Sequence, residues 1–220
     1  MTALLLGSIS TLADTSELQR DAFNQAFSQH GLDWQWDQDD YRARLAGNGG
    51  QDRITAYAEE RGEQVDAAAV HATKSRIFQE SVAEHAQARP GLVDTVKAAK
   101  AQGYKVALVT TTSPENVAAL GSALAGELSF DDDLDLILDN SQVDANKPDP
   151  AAYTMALADL GEKAEDCVAV EDNPGGVKAA QAAGITCVAF PNTNTAGLDF
   201  DGAQVRDRLD LADLTGLIGR

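Results

Sequence analysis

Polar side chains that could bind phosphate or a metal ion accompany three separate segments of this chain. Thr110 ends the apolar run 106–109, Lys147 lies in an Asn-Lys-Pro-Asp-Pro loop, and Glu171 and Asp172 follow the apolar run 167–170. A hydroxyl and an ammonium group suit a phosphate oxygen, whereas carboxylates suit Mg²⁺. Each position also has a simpler interpretation, namely a turn former, a solvated lysine and an acidic pair that complements a helix dipole.

Short apolar runs alternate with alanine-rich helical stretches, which predicts how these positions are brought together. Five runs are typical of buried parallel strands, at residues 3–6, 105–109, 134–138, 167–170 and 186–190. Helical periodicity occupies 92–102, 150–160 and 175–183. The alternation predicts an α/β fold with a doubly wound, Rossmann-like parallel sheet. Ligands of such sheets bind at the carboxyl ends of the strands.

The interval 15–88 differs, because it has no comparable apolar strand. Its periodicity predicts helices over 16–30, 38–45, 51–61 and 67–85. We therefore expect a core formed by residues 1–14 and 89–220, with a helical cap at 15–88 that returns to the core at Arg89-Pro90-Gly91.

Charge and composition limit the partners. The 220 residues include 35 acidic and 17 basic side chains, so a net charge of −18 argues against nucleic acid and anionic membranes. Cys167 and Cys187 lie in apolar runs, which favours buried, reduced thiols. The chain shows no basic, apolar leader, and we expect a cytoplasmic protein, taken as a monomer.

The ordered motifs resemble the haloacid dehalogenase (HAD) superfamily of phosphatases and phosphomutases, most of all its CbbY-like branch of sugar-phosphate phosphatases. The resemblance covers nearly the whole chain and rests on the following segments: Thr11-Leu12, Glu17-Leu18, Tyr41-Arg42, Gly49-Gly50, Arg53-Ile54, Arg89-Pro90-Gly91, Thr110-Thr111-Thr112-Ser113, Lys147-Pro148 and Glu171-Asp172.

This resemblance implies a role for each candidate residue. In the core, Thr110, Thr111 and Lys147 would hold phosphate, while Asp172 with its partner Glu171 would hold Mg²⁺. In the cap, recognition of a phosphorylated metabolite would fall to Glu17, Tyr41, Gly50, Arg53 and Lys74. Two cap positions depart from the family, since Gln19 and Gln51 replace the usual His and Lys.

The first motif departs further. The family carries Asp-x-Asp-Gly-Thr, whose first aspartate attacks phosphorus and whose second protonates the leaving group. In this chain those two positions are Gly7 and Ile9, and Ser10 stands where the family has glycine. Neither Gly7 nor Ile9 can attack or transfer a proton. A magnesium ligand is lost as well, so we expect Mg²⁺ binding to be weak or absent.

Neighbouring groups offer little replacement on sequence grounds. Strand alternation predicts that Ser8 points away from the site, and Asp14 is placed too far along the loop. The lysine at 147 would be left without its usual partner and could stand beside Asp172 in place of the metal.

Three hypotheses remain open. The protein is a pseudo-phosphatase that binds a phosphorylated sugar or phosphate without hydrolysing it, an active phosphatase with a displaced nucleophile, or an interaction protein whose pocket is no longer maintained.

Overall fold

A six-stranded, all-parallel sheet forms the centre of the protein. The computed structural model describes residues 1–45 and 49–218. The strand order is β3-β2-β1-β4-β5-β6. The strands are β1 (Ala3–Leu6), β2 (Lys105–Val109), β3 (Leu136–Leu138), β4 (Cys167–Glu171), β5 (Thr186–Ala189) and β6 (Gln204–Val205). This sheet confirms the predicted doubly wound α/β class.

Eleven α-helices and one 3₁₀ helix, Ala164–Asp166, are present among the described residues. The α-helices are α1 (Ile9–Leu12), α2 (Ser16–Gln29), α3 (Gln38–Ala43), α4 (Gly50–Arg61), α5 (Ala67–His85), α6 (Leu92–Ala101), α7 (Pro114–Leu124), α8 (Phe130–Asp133), α9 (Ala151–Leu160), α10 (Pro174–Ala182) and α11 (Leu211–Thr215). None within residues 1–45 and 49–218 is long and apolar enough to cross a bilayer.

Both faces of the sheet are covered, as the continuous apolar runs predicted. Leu4 and Leu6 of β1 belong to a core shared with the cap helices and α6, whereas Leu5 belongs to a core shared with α9 and α10. The alternation follows from the two-residue period of a strand. Both cysteines are buried and free, as predicted.

The segment between α1 and α6 is helical and packs around an aromatic cluster. Trp36 is fully buried, with ring centroids 5.0 Å from Phe23 and 4.7 Å from Phe27. Trp34 packs edge-on against Phe27 at 5.2 Å. The two tryptophans therefore serve as packing anchors of the cap, as the sequence indicated.

The two chain crossings between core and cap lie side by side. Ala13 and Ala88 form an antiparallel bridge, and the amide of Arg89 donates to the carbonyl of Leu12. Arg89 also donates to the carbonyls of Phe190 at 2.7 Å and Pro191 at 2.5 Å. Domain boundaries at residues 15 and 88 stay a prediction, with which this bridge is consistent.

One strand begins later than its apolar run. The sequence predicted a strand over 134–138, but β3 starts at Leu136. The hydroxyl of Ser129 accepts from the amide of Asp132 and caps the short helix α8, which ends against Leu134. The capped turn thus removes two residues from the strand.

Candidate functional site

A cavity of about 890 Å³ lies between the carboxyl ends of the strands and the cap helices. Most of the predicted site residues line it: Ile9, Tyr41, Gly50, Arg53, Lys74, Thr110, Thr111, Lys147 and Asp172. Gly7, Glu17 and Glu171 do not line it, although each is next in sequence to a residue that does.

Backbone and hydroxyl groups at the end of β2 form one wall of the cavity, at the end that the core provides. Thr110 follows the strand directly, and its hydroxyl accepts from the amide of Thr112 at 3.2 Å. The Ser113 side chain caps α7 by accepting from the amide of Asn116. The first turn of α7 therefore presents the positive end of its dipole at this wall, next to three hydroxyl-bearing threonines.

Lys147 is buried and already paired. Its ammonium donates to the carbonyl of Val109 at 2.7 Å and to Glu171 Oε1 at 2.5 Å. The expectation of a lysine without a partner is therefore wrong. The missing aspartate does not leave Lys147 alone, because Glu171 from β4 reaches it instead.

Glu171 is held on the core side of Lys147, away from the cavity. Its side chain is fully buried, and the hydroxyl of Tyr153 donates to the same Oε1 atom at 2.6 Å. Burial raises the pKa of Glu171, and Lys147 acts in the opposite direction. Burial and the charge of Glu171 raise the pKa of Tyr153 well above its ordinary value, so this phenol stays a donor.

Asp172 reaches the cavity and is held by three neutral donors. It accepts from the Ser8 hydroxyl at 2.5 Å, from Asn192 Nδ2 at 2.6 Å and from Asn173 Nδ2 at 3.1 Å. The expectation that Ser8 points away is wrong, because β1 ends at Leu6 and Ser8 is the N-cap of α1. Strand alternation therefore does not extend to this residue.

Asn192 is a member of the site that the sequence interpretation missed. It is buried and follows β5 by three residues. Its position in the sequence could have indicated Asn192, since a polar residue close after the carboxyl end of a parallel strand lies at the ligand-binding edge of the sheet.

The other polar groups near the first motif are engaged elsewhere. Ser10 and Thr15 share a hydrogen bond of 2.6 Å between their hydroxyls. Asp14 accepts from Ser16 at 2.6 Å and from the amide and hydroxyl of Thr193 at 2.8 and 2.7 Å. Burial raises the pKa of Asp14, but these hydrogen bonds outweigh burial and lower it overall. Asp14 thus ties the cap linker to the loop after β5.

The cap end of the cavity is lined by the basic side chains Arg53, His71 and Lys74. Lys74 is buried between the rings of Phe23 and Phe78 and donates to Gln19 Oε1. Burial, with a smaller contribution from Arg53, lowers the pKa of Lys74 to about 7. Burial, then Lys74 and Arg53, lower the pKa of His71.

Gly50 and Glu17 have positional roles at the same end. A Cβ on Gly50 would lie 2.5 Å from His71 Nε2, so any larger residue on α4 would require the His71 side chain on α5 to move. Glu17 pairs with Arg20 at 2.8 Å and accepts from Asn194 Nδ2 at 2.6 Å. It therefore connects the cap to the loop after β5, outside the cavity lining.

Metal-ligating side chains are sparse at this site. Within the described ranges, no group of three or more His, Cys, Asp or Glu residues is arranged to hold a metal ion. The two acidic residues differ in direction, since Asp172 faces the cavity while Glu171 is bonded to Lys147 and Tyr153.

Comparison with known proteins identifies the family. Residues 10–184 match the model of haloacid dehalogenase-like hydrolases, a match that begins directly after Gly7 and Ile9. Protein CbbY of Cereibacter sphaeroides is 38% identical over 223 residues, covering 99% of this chain and 95% of that protein. The chain belongs to the HAD-like hydrolases, in their CbbY-like branch.

Two similar proteins place this HAD-like chain more closely. The plasmid-encoded CbbY of Cupriavidus necator is 39% identical, covering 92% of this chain and 83% of that protein. A mutant of CbbY from Rhodobacter sphaeroides, in complex with xylulose 1,5-bisphosphate, is 36% identical with a TM-score of 0.86, covering 94% of each chain. The same protein in complex with phosphate gives a TM-score of 0.85 at the same identity and coverage.

Proposed function

We propose that this HAD-like protein binds a sugar phosphate, with a sugar bisphosphate as the best candidate, and does not hydrolyse it. The observation that carries the proposal is a large cavity with anion-binding groups at two ends and no carboxylate at position 7 or 9. Thr110 and the start of α7 serve one end, and Arg53 with Lys74 serves the other. Such a layout suits a ligand with a phosphate at each end, as in the xylulose bisphosphate bound by the related CbbY.

The absence of turnover follows from side-chain chemistry. Nucleophilic phosphoryl transfer in this family needs a carboxylate at position 7 and an acid at position 9. Gly7 has no side chain, and the Ile9 side chain has no proton to give. Asp14, the nearest remaining carboxylate in sequence, is bonded to Thr193 and Ser16.

Weak magnesium binding is part of the same proposal. Mg²⁺ requires an octahedron of oxygen ligands, normally including carboxylates. Of the two predicted metal ligands, Asp172 lines the cavity and Glu171 does not, and both oxygens of Asp172 already accept hydrogen bonds. The ammonium of Lys147 holds Glu171 instead. The donor set in this arrangement does not fit Mg²⁺.

The test measures binding and turnover on one protein sample. We expect xylulose 1,5-bisphosphate to raise the melting temperature without Mg²⁺, because a ligand at about 100 times its Kd stabilises the folded state by about 2.7 kcal/mol. Phosphate release should stay at the level of the Lys147→Ala variant, with or without Mg²⁺. Release above that level, or no thermal shift at millimolar ligand, would contradict the proposal.

A matched pair of lysine variants locates the binding. Lys74→Met removes a cavity lysine, whereas Lys97→Met removes an exposed lysine on α6 that lies outside the cavity lining. We expect the thermal shift to be lost in the first and retained in the second.

One observation favours a second candidate, an active phosphatase that uses Ser8. Its hydroxyl faces the cavity and donates to Asp172 at 2.5 Å, the arrangement of a nucleophile beside a base. In that reaction the Ser8 Oγ–phosphorus bond forms as the bond to the sugar oxygen breaks. The serine proton passes to Asp172, which then gives it to the departing sugar oxygen. Water next attacks phosphorus as the Ser8 Oγ–phosphorus bond breaks, and its proton returns to Ser8 through Asp172 as phosphate leaves.

Ser8→Ala distinguishes the two candidates. If the parent releases phosphate and Ser8→Ala does not, while the control Ser81→Ala, on α5 outside the cavity lining, retains activity, the second candidate replaces the first. A silent parent with no phosphoserine detectable by mass spectrometry excludes it.

A further inference from the structure

The space beside Gly7 is filled by the side chain of another strand. A Cβ on Gly7 would lie 2.1 Å from Glu171 Cδ and 2.4 Å from each of its carboxylate oxygens. The oxygens of an aspartate lie about 2.4 Å from its own Cβ, as standard bond lengths require. The Glu171 oxygens therefore stand at the distance from position 7 at which aspartate oxygens would stand.

We propose that Glu171 replaces the residue-7 side chain as the internal anion that pairs with Lys147, and that this ion pair limits phosphate binding at the core end of the cavity. The inference rests on the proposed function only in requiring that the cavity binds an anion.

The hydrogen bonds of Lys147 support this assignment. Two of its three ammonium protons go to Val109 O and Glu171 Oε1, and the ammonium lies 4.7 Å from the Tyr153 ring centroid. A single N–H remains for a ligand, and its positive charge is offset by a carboxylate in direct contact. Lys147 lines the cavity but contributes little net charge to it.

The Glu171 carboxylate accepts hydrogen bonds through one of its two oxygens. Both hydrogen bonds end on Oε1, and Glu171 Oε2 has no hydrogen-bond partner among the described residues although it is buried. A second glycine is required here as well, because a Cβ on Gly176 would also lie 2.1 Å from Glu171 Cδ. Gly7 and Gly176 together make the room that this carboxylate occupies.

The decisive variant is Glu171→Gln, which keeps the shape and removes the charge. We expect its affinity for inorganic phosphate, measured by isothermal titration calorimetry, to exceed that of the parent about tenfold, the size of one charge-assisted hydrogen bond. The matched control is Glu162→Gln, which breaks a Glu–Lys pair with Lys105 of 2.9 Å outside the cavity and should leave phosphate affinity unchanged. Adding Lys147→Gln to Glu171→Gln should abolish the gain.

A second variant decides the matter if Glu171→Gln does not fold. Gly7→Ala places a methyl group against the Glu171 carboxylate and should loosen it from Lys147, again raising phosphate affinity. Its control is Gly126→Ala, where a Cβ meets no atom within 4 Å. Equal or weaker phosphate binding in the folded decisive variant would overturn the proposal.

This result is separable from the proposed function. If the parent fails to bind xylulose 1,5-bisphosphate but Glu171→Gln gains phosphate affinity, the proposed function fails and the role of Glu171 stands. If the parent binds the bisphosphate and Glu171→Gln gains nothing, the role of Glu171 fails instead.

Discussion

Gly7 and Glu171 show that the residue at one position determines where a neighbouring side chain can lie. Gly7 has no side chain, and the space beside it is occupied by the Glu171 carboxylate from β4. An aspartate introduced at position 7 would therefore compete with Glu171 for one buried place beside Lys147.

This substitution can be tested directly. We expect Gly7→Asp to lower the free energy of unfolding by about 3 kcal/mol at neutral pH, because it crowds a buried carboxylate with a second one. Combining Gly7→Asp with Glu171→Ala should recover part of this loss, which urea denaturation of the four proteins in the cycle measures. Strictly additive effects would contradict direct contact between the two positions.

The burial of Lys74 determines how this residue makes the free energy of unfolding depend on pH. Its pKa falls from 10.5 to about 7 in the folded protein. Between these values the unfolded chain binds more protons than the native chain, so this residue makes the free energy of unfolding rise with pH, by up to about 1.4 kcal/mol per pH unit. Below the native pKa both states are protonated and the slope from Lys74 vanishes.

The measurement is a difference between variants. In urea denaturation across this pH range, the free energy of unfolding of the parent should rise with pH relative to that of Lys74→Met. The difference between parent and Lys97→Met should stay flat. A slope that survives in Lys74→Met would assign the effect to other groups.

At the scale of elements, the positions of candidate residues were accessible from sequence, but their directions were not. Thr110 and Asp172, each of which directly follows a buried strand, line the cavity. Ser8 was misjudged because a one-turn helix starts directly after β1. Glu171 pairs with Lys147 across 24 positions of sequence, a contact that depends on space left by Gly7 and Gly176 and that no local pattern reports.

Arg89 joins elements that are distant in sequence. It donates to carbonyls of Ser10, Phe190 and Pro191, and its guanidinium stacks 3.4 Å over the Phe190 ring. These contacts connect α1, the second cap linker and the loop after β5.

We expect Arg89→Lys to lower the free energy of unfolding by about 3 kcal/mol, because an ammonium cannot reproduce the planar fork and leaves partly buried carbonyls unpaired. Thermal and urea denaturation measure this loss. Arg208→Lys, at a side chain that is 64% exposed, is the matched control and should change stability by less than about 0.5 kcal/mol. A similarly small loss for Arg89→Lys would show that the Arg89 hydrogen bonds contribute little to stability.

At the scale of the whole molecule, the acidic surface sets the response to salt. With 35 acidic and 17 basic side chains, repulsion outweighs the exposed ion pairs, which contribute little individually. Raising NaCl from about 0.02 to about 0.5 M shortens the Debye length to a few ångströms and should increase stability. Urea titrations at each salt concentration test this, and a decrease would show that attractive pairs dominate.

The bridge between Ala13 and Ala88 holds the two chain crossings of the helical segment side by side. Residues 14–87 leave and return to the core at adjacent points, so a turn of a few residues could join the two ends without stretching the sheet. Exchange of one cap for another would alter what the cavity recognises while leaving β1 and its neighbours in place. We therefore expect changes in the helical segment to alter ligand choice while Gly7 and Ile9 of the core stay as they are.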